Sequence, residues 1–300
     1  MNLSEAYYEL RFVDAFRSAK GDSFQTFFEK LMGLAYKGDF MACRPWGNTG
    51  DRKNDGFLKS EQRLFQVYAP NEMTSSSAKA KITEDFEGAK SHWGKYFNKW
   101  VFAHNALDGL PPHVQELLLN LEQSNPGITL EAWGLEELRA VFRKVSLDDR
   151  QAWFGFVPSD ETKLELSFND LQVVLETIAN GSTPPHQVVK DVPMGKIEAN
   201  ALSESVCILL KAGMAKSPLV EAFFEKWSDE SFGERIAESF RMKYQSLRRQ
   251  HNPDDIFAKL ELWAGGGGPR TPRHQLAVLA VLAYYFASCD IFEEPRSALS

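Results

Sequence analysis

Residues 50–70, GDRKNDGFLKSEQRLFQVYAP, set Asp51 and Asp55 around a glycine-containing turn and follow them with a strand carrying Gln66 and Tyr68. Carboxylate and amide oxygens are hard donors of the kind that hold Mg2+ or Mn2+, and magnesium needs few protein ligands because it keeps several waters. A cation so held, with a lysine to orient the attacking water and offset developing charge, is the equipment of phosphodiester hydrolysis. Lysines are at hand: Lys53 lies in the turn, and Lys79 and Lys81 open the segment AKAKITEDF. Asp and Gly are also ordinary turn formers, so these residue types alone leave a structural role open.

The elements that must position these groups follow from the apolar spacing. In residues 22–37, Phe24, Phe27, Phe28, Leu31, Met32 and Leu34 recur at three- and four-residue intervals behind a suitable N-cap, Asp22 or Ser23. This predicts a helix carrying Glu29, after another helix at 4–18. Strands at about 55–59 and 63–68 form a hairpin. Side chains alternate along a strand, so Leu64, Gln66 and Tyr68 share one face and Phe65 and Val67 the other. Asp55 then lies beside Gln66 and Tyr68 across the hairpin.

Residues 71–79 read as a polar loop, and 80–98 as a helix whose buried face is Ile82, Phe86 and Ala89, with Lys81 near that face. WVFAHN (100–105), a helix at 111–123 and ITLEAW (128–133) give strand, helix, strand, which implies a parallel pair; a further helix begins near Gly134. The expected first domain, 1–155, is α/β with a mixed sheet. Residues 168–180, 196–213, 217–227, 230–251, 254–264 and 272–288 all favour helices, so the second domain, 156–300, is expected to be all-α.

Bulk properties agree with two soluble domains: 300 residues, 43% hydrophobic and 25% charged. A net charge of −7 argues against non-specific coating of nucleic acid, although residues 44–99 hold 10 basic against 7 acidic side chains. Cys43, Cys207 and Cys289 are too few and too far apart for a disulfide framework or a Cys-based zinc site. The opening residues lack signal-peptide character, and the longest apolar run, Leu276 to Ala287, is too short to span a bilayer. A cytoplasmic protein without membrane partners is expected. GGGGP (265–269) has no following Lys-Ser/Thr, so it is not a P-loop and any ATP use belongs to a partner. His104 reads as a satisfied strand-end histidine, Trp93, Trp100 and Trp133 as core, and the CDIFEEP ending as either a partner contact or a packed terminus.

The pattern G-x-x-G-D-x-x-x-D-G followed by F-Q-V, within residues 22–133, resembles the Mrr-like branch of the PD-(D/E)XK nuclease superfamily. The resemblance implies a restriction-endonuclease-like fold, DNA as substrate and Mg2+ or Mn2+ as cofactor. It makes Asp55 the metal aspartate, Gln66 the first position of the Q-x-K strand, and Glu29 the accompanying helix glutamate. Tyr68 stands where that family has lysine, and a phenol is neutral at pH 7. Lys81 is the preferred replacement, ahead of Lys53 and Lys79, with Asp51 flanking.

KIEANALSESVCILLKAG and LAVLAYYFASCDIFEEP resemble the C-terminal domain of ABC-three-component systems. These are bacterial defence-type operons, Lamassu among them, that combine an ABC or SMC-like ATPase, a small middle component and an effector. The resemblance implies an anti-phage endonuclease effector whose helical half docks the ATPase and self-associates on activation. The alternative is a catalytically degenerate DNA-binding or assembly subunit on a nuclease fold.

Overall fold

The computed structural model describes residues 1–43, 53–160, 162, 166–179, 195–227, 229, 231–266, 271–288 and 291–293. The chain divides into two units, one of Phe12–Arg150 and one of Met1–Arg11 with Gln151–Ser300.

The first unit contains one mixed sheet in the order β1-β2-β3-β4-β5: Phe40–Ala42, Gly56–Leu58, Arg63–Tyr68, Lys99–His104 and Thr129–Trp133. β1, β2 and β3 pair antiparallel, and β3, β4 and β5 pair parallel. The expected hairpin and parallel pair are therefore present, and β1 is an edge strand that its three residues were too short to announce.

Helices α1 (Leu3–Ser18) and α2 (Asp22–Ala35) precede the strands, α3 (Ser75–Trp93) and α4 (Pro112–Ser124) alternate with β3, β4 and β5, and α5 (Leu135–Phe142) and α6 (Leu147–Phe154) follow. Leu64, Trp100 and Phe102 on one sheet face pack with Ile82, Phe86 and Ala89 of α3 and Val114 and Leu118 of α4. On the other face the Phe65 ring lies 5.3 Å from Phe28 of α2 and 5.1 Å from Trp133. Full burial of such side chains stabilises by about 1.5–3 kcal/mol each, so both faces of β3 are anchored.

α3 begins five residues before the expected start at 80. Thr74 Oγ1 accepts the Ser77 N–H at 3.1 Å while Ser77 Oγ accepts the Thr74 N–H at 3.2 Å. The serines that suggested a loop thus cap a helix.

The second unit is helical: Phe168–Ala179 (α7), Lys196–Ala199 (α8), Glu204–Met214 (α9), Ser217–Lys226 (α10), Phe232–Leu247 (α11), Pro253–Gly265 (α12) and Pro272–Ala287 (α13). Every residue of α13 from His274 to Phe286 is buried, so the apolar run is the core of this unit. α9 crosses α13 closely: a Cβ on Gly213 would fall 2.2 Å from the Leu279 carbonyl oxygen and 2.7 Å from Ala283 Cβ.

The expected helix at 196–213 is broken at Asn200. Its amide donates to the Lys196 and Glu293 carbonyls, both at 2.7 Å, and accepts the Glu293 N–H at 2.9 Å. Ala201 then turns with φ 49°. Phe292 packs 5.4 Å from Phe286 and 5.3 Å from Tyr244, so the described part of the CDIFEEP ending is a packed segment. Within this same unit, Tyr7 and Arg11 both bond Glu261 of α12. No helix among the described residues is long and apolar enough to cross a membrane.

Candidate functional site

Asp55 sits immediately before β2, where its N–H donates to the Phe65 carbonyl at 2.9 Å. Gly56 pairs with Phe65, and Asp55, whose N–H reaches that same Phe65 carbonyl, stands one residue ahead of the ladder. A Cβ on Gly56 would lie 2.5 Å from the Phe40 ring, which is why glycine follows the aspartate. Asp55 and Gln66 are each 4% exposed.

Asp55 Oδ2 accepts the Val67 N–H at 2.7 Å, and Gln25 of α2 reaches Oδ1 at 3.5 Å. Gln25 also donates to Glu29 Oε1 at 3.1 Å, so one amide links the helix glutamate to the strand aspartate. Gln66 Oε1 is buried and has no hydrogen-bond partner in the structure. A buried acceptor left unpaired is costly, about 1–3 kcal/mol, and points to something that completes it. Asp55 and Gln66 supply hard oxygens on adjacent strands, and that donor set fits Mg2+ or Mn2+ with water making up the remaining ligands. Among the described residues no three His, Cys, Asp or Glu side chains converge.

The lysines are drawn together by a residue that the sequence reading passed over. Asp85 of α3 is fully buried, and Lys81 Nζ lies 3.1 and 3.0 Å from its two oxygens. Lys53, in a left-handed conformation with φ 62°, lays its stem across Gly88, where a Cβ would come within 2.6 Å of Lys53 Cγ. Its ammonium lies 2.6 Å from Glu84 and 2.9 Å from Asp85.

The hydrogen bond to Glu84, assisted by Asp85, raises the Lys53 pKa and lowers that of Glu84. Lys53 therefore keeps its proton at neutral pH and can supply charge but not a general base. The spacing held the clue to Asp85: it lies three residues after Ile82 and four before Ala89, inside the buried stripe of α3. Lys79 is exposed, and Tyr68 is half-buried with its ring 5.8 Å from Phe102. Asp51 lies outside the described residues.

One strand over, Tyr68 pairs with His104 at the end of β4. His104 is 3% exposed and Nδ1 accepts the Ala106 N–H at 3.2 Å. Burial pushes its pKa down from 6.5 to about 4, against a smaller opposing pull from Glu137. Between those values the unfolded chain takes up a proton that the fold refuses. The contribution of His104 to stability therefore falls as pH drops from 6.5 through 4, by about 3 kcal/mol in all. Urea denaturation of the parent and of His104→Asn at pH 7 and pH 4.5 checks this; the variant is expected to lose less stability between the two.

The thiol pKa of Cys207 is pushed up by burial. That is the opposite of the depressed pKa of a reactive nucleophile.

Residues 169–293 match the family model of C-terminal domain 10 of the ABC-three component systems. No curated protein and no solved structure matches the chain significantly.

Proposed function

We propose that this protein is the effector of an anti-phage ABC-three-component system, with a Mg2+- or Mn2+-dependent DNA endonuclease centre in the Phe12–Arg150 unit. The observation that carries the reading is the burial of two oxygen donors, Asp55 just before β2 and Gln66 on the neighbouring β3, the second of them an acceptor without a partner. The match of residues 169–293 supports membership of such a system, and the system implies further components: an ABC or SMC-like ATPase and a small middle component. The helical unit would dock them and self-associate on activation. A restriction-endonuclease-like architecture accommodates the sequence hairpin, helix, strand, helix, strand.

When bound, the cation supplies Lewis acidity to a phosphoryl oxygen and lowers the pKa of a water ligand. Asp55 and Gln66 would hold it, and Glu29 acts through Gln25, which fixes the Asp55 carboxylate. Lys53 and Lys81, both held by Asp85, would supply positive charge to offset the negative charge that a phosphate develops. The charge that Tyr68 cannot supply comes from α3 and the loop before β2.

The second reading, a degenerate nuclease fold that binds DNA or assembles without cutting, is favoured by Tyr68 and by the engagement of both lysines with Asp85. Plasmid incubated with Mg2+ or Mn2+ and the protein, alone and with its system partners, separates the two. Asp55→Ala is expected to lower cleavage at least about 100-fold, the scale of losing one electrostatic stabiliser. Cleavage undiminished in Asp55→Ala removes the assigned centre, and no cleavage under any partner combination leaves the degenerate reading.

A further inference from the structure

We propose that a cavity of about 410 Å³ at the end of β4 and β5 is a nucleobase pocket selective for guanine. His104, Leu107, Leu110, Leu135, Glu136 and Glu137 supply the walls the argument uses. The volume falls in the range of small-molecule sites, which are mostly apolar with a few placed polar groups.

The polar groups have fixed roles. Because His104 Nδ1 accepts the Ala106 N–H, the neutral ring carries its proton on Nε2 and presents a donor. His104 is 3% exposed and lines the cavity. Gly134 passes so close that a Cβ would sit 3.0 Å from His104 Cε1 and 3.4 Å from Nε2, so glycine is what leaves room for the ring there.

Glu137 Oε2 is occupied by the Gly134 N–H at 2.9 Å, which fixes the carboxylate and leaves Oε1 to accept. Glu136, on the same helix start, is held by Arg139 at 2.9 Å and adds a second negative group. The ligand must therefore bring acceptors to His104 and donors to a carboxylate, between apolar faces.

Guanine does both: O6 and N7 accept, and the adjacent N1–H and 2-amino donors can both reach Glu137 Oε1, the oxygen that the Gly134 N–H leaves open. Adenine and cytosine offer a single exocyclic donor group, and thymine and uracil offer one N–H between two acceptors. Leu107, Leu110 and Leu135 in the lining supply apolar contact of the kind that a base extruded from a stack receives in such pockets.

The pocket opens at the carboxyl end of the parallel strands, where open α/β sheets place ligands. Tyr68 pairs with His104 across β3 and β4, so this is the edge at which the Asp55–Gln66 centre also lies. That a nucleic-acid strand delivers the base rests on the nuclease-fold reading above; the chemistry of the pocket does not.

Calorimetric titration of the full chain with guanosine, inosine, adenosine and cytidine tests the assignment. Guanosine is expected to bind saturably. Inosine, which lacks the 2-amino group, is expected to bind about tenfold more weakly, the worth of about 1.4 kcal/mol. His104→Asn and Glu137→Gln, checked for folding by circular dichroism, each weaken guanosine at least about tenfold. Glu136→Gln, at an exposed side chain, weakens it without touching the fold.

Absence of saturable binding by any nucleoside, equal binding of all four, or affinity unchanged in all three variants overturns the proposal. A guanine-containing oligonucleotide binding more tightly than guanosine assigns the base to a strand, and equal affinity assigns it to a free nucleoside. Guanosine binding without plasmid cleavage sustains the pocket while the endonuclease reading fails; cleavage without guanosine binding does the reverse.

Discussion

Glu261→Ala is expected to destabilise the helical unit by about 3–5 kcal/mol, the effect of removing one partner from a buried ionic cluster. Glu261 is 3% exposed on α12 and receives Arg11 Nη2 at 2.9 Å and the Tyr7 hydroxyl. Tyr7 is fully buried; burial first, and the Glu261 charge second, raise its pKa well above the usual range, so it remains a neutral donor. Alanine strands a buried hydroxyl and a guanidinium that has little access to water. Glu261→Gln keeps an acceptor and loses the charge, and is expected to lose only about 1–2 kcal/mol. Urea denaturation followed by far-UV circular dichroism measures both. A loss below about 1 kcal/mol for the alanine variant would mean that water reaches Tyr7 and Arg11, contrary to their burial.

Gly213→Val carries the next largest effect. Overpacking a filled core typically destabilises by about 1–3 kcal/mol, and more where the obstacle is backbone. Here the first added carbon would already meet the Leu279 carbonyl oxygen at 2.2 Å and Ala283 Cβ at 2.7 Å. Neither atom is the end of a flexible side chain, so α9 must move off α13. A loss above about 3 kcal/mol is expected, read as a fall in thermal midpoint of roughly 2–4 °C per kcal/mol for a unit of this size. Gly213→Ala should fall between the parent and the valine variant, because it adds the first clash and none of the branches. A valine variant as stable as the parent would mean that the helices slide apart without loss of packing.

Much of the sheet unit was legible because its signals are local and periodic. The Phe24, Phe27, Phe28, Leu31 and Met32 stripe is the buried face of α2, and Leu64 and Phe65 alternate between the two faces of β3 as expected. What stayed hidden depends on groups distant in sequence. Asp85 reads as one acid among several in TEDFE until Lys53 and Lys81 close on it. Asn200 reads as a tolerable helix residue until the Glu293 backbone takes its amide. The helix start at Thr74 was missed for a different reason: serines favour both loops and caps, and only the reciprocal bonds to Ser77 decide between them.

The bonds from Tyr7 and Arg11 to Glu261 join residues 254 and 250 positions apart, so the sheet unit is an insertion between two pieces of one helical unit. Translation runs at about 5–20 residues per second, which leaves the early piece waiting roughly 10–50 s for its partner. During that interval the sheet unit has all of its own residues and can fold. The helical unit cannot close until α12 and the buried α13 have been made, so its closure records that synthesis has passed the last of the packed helices.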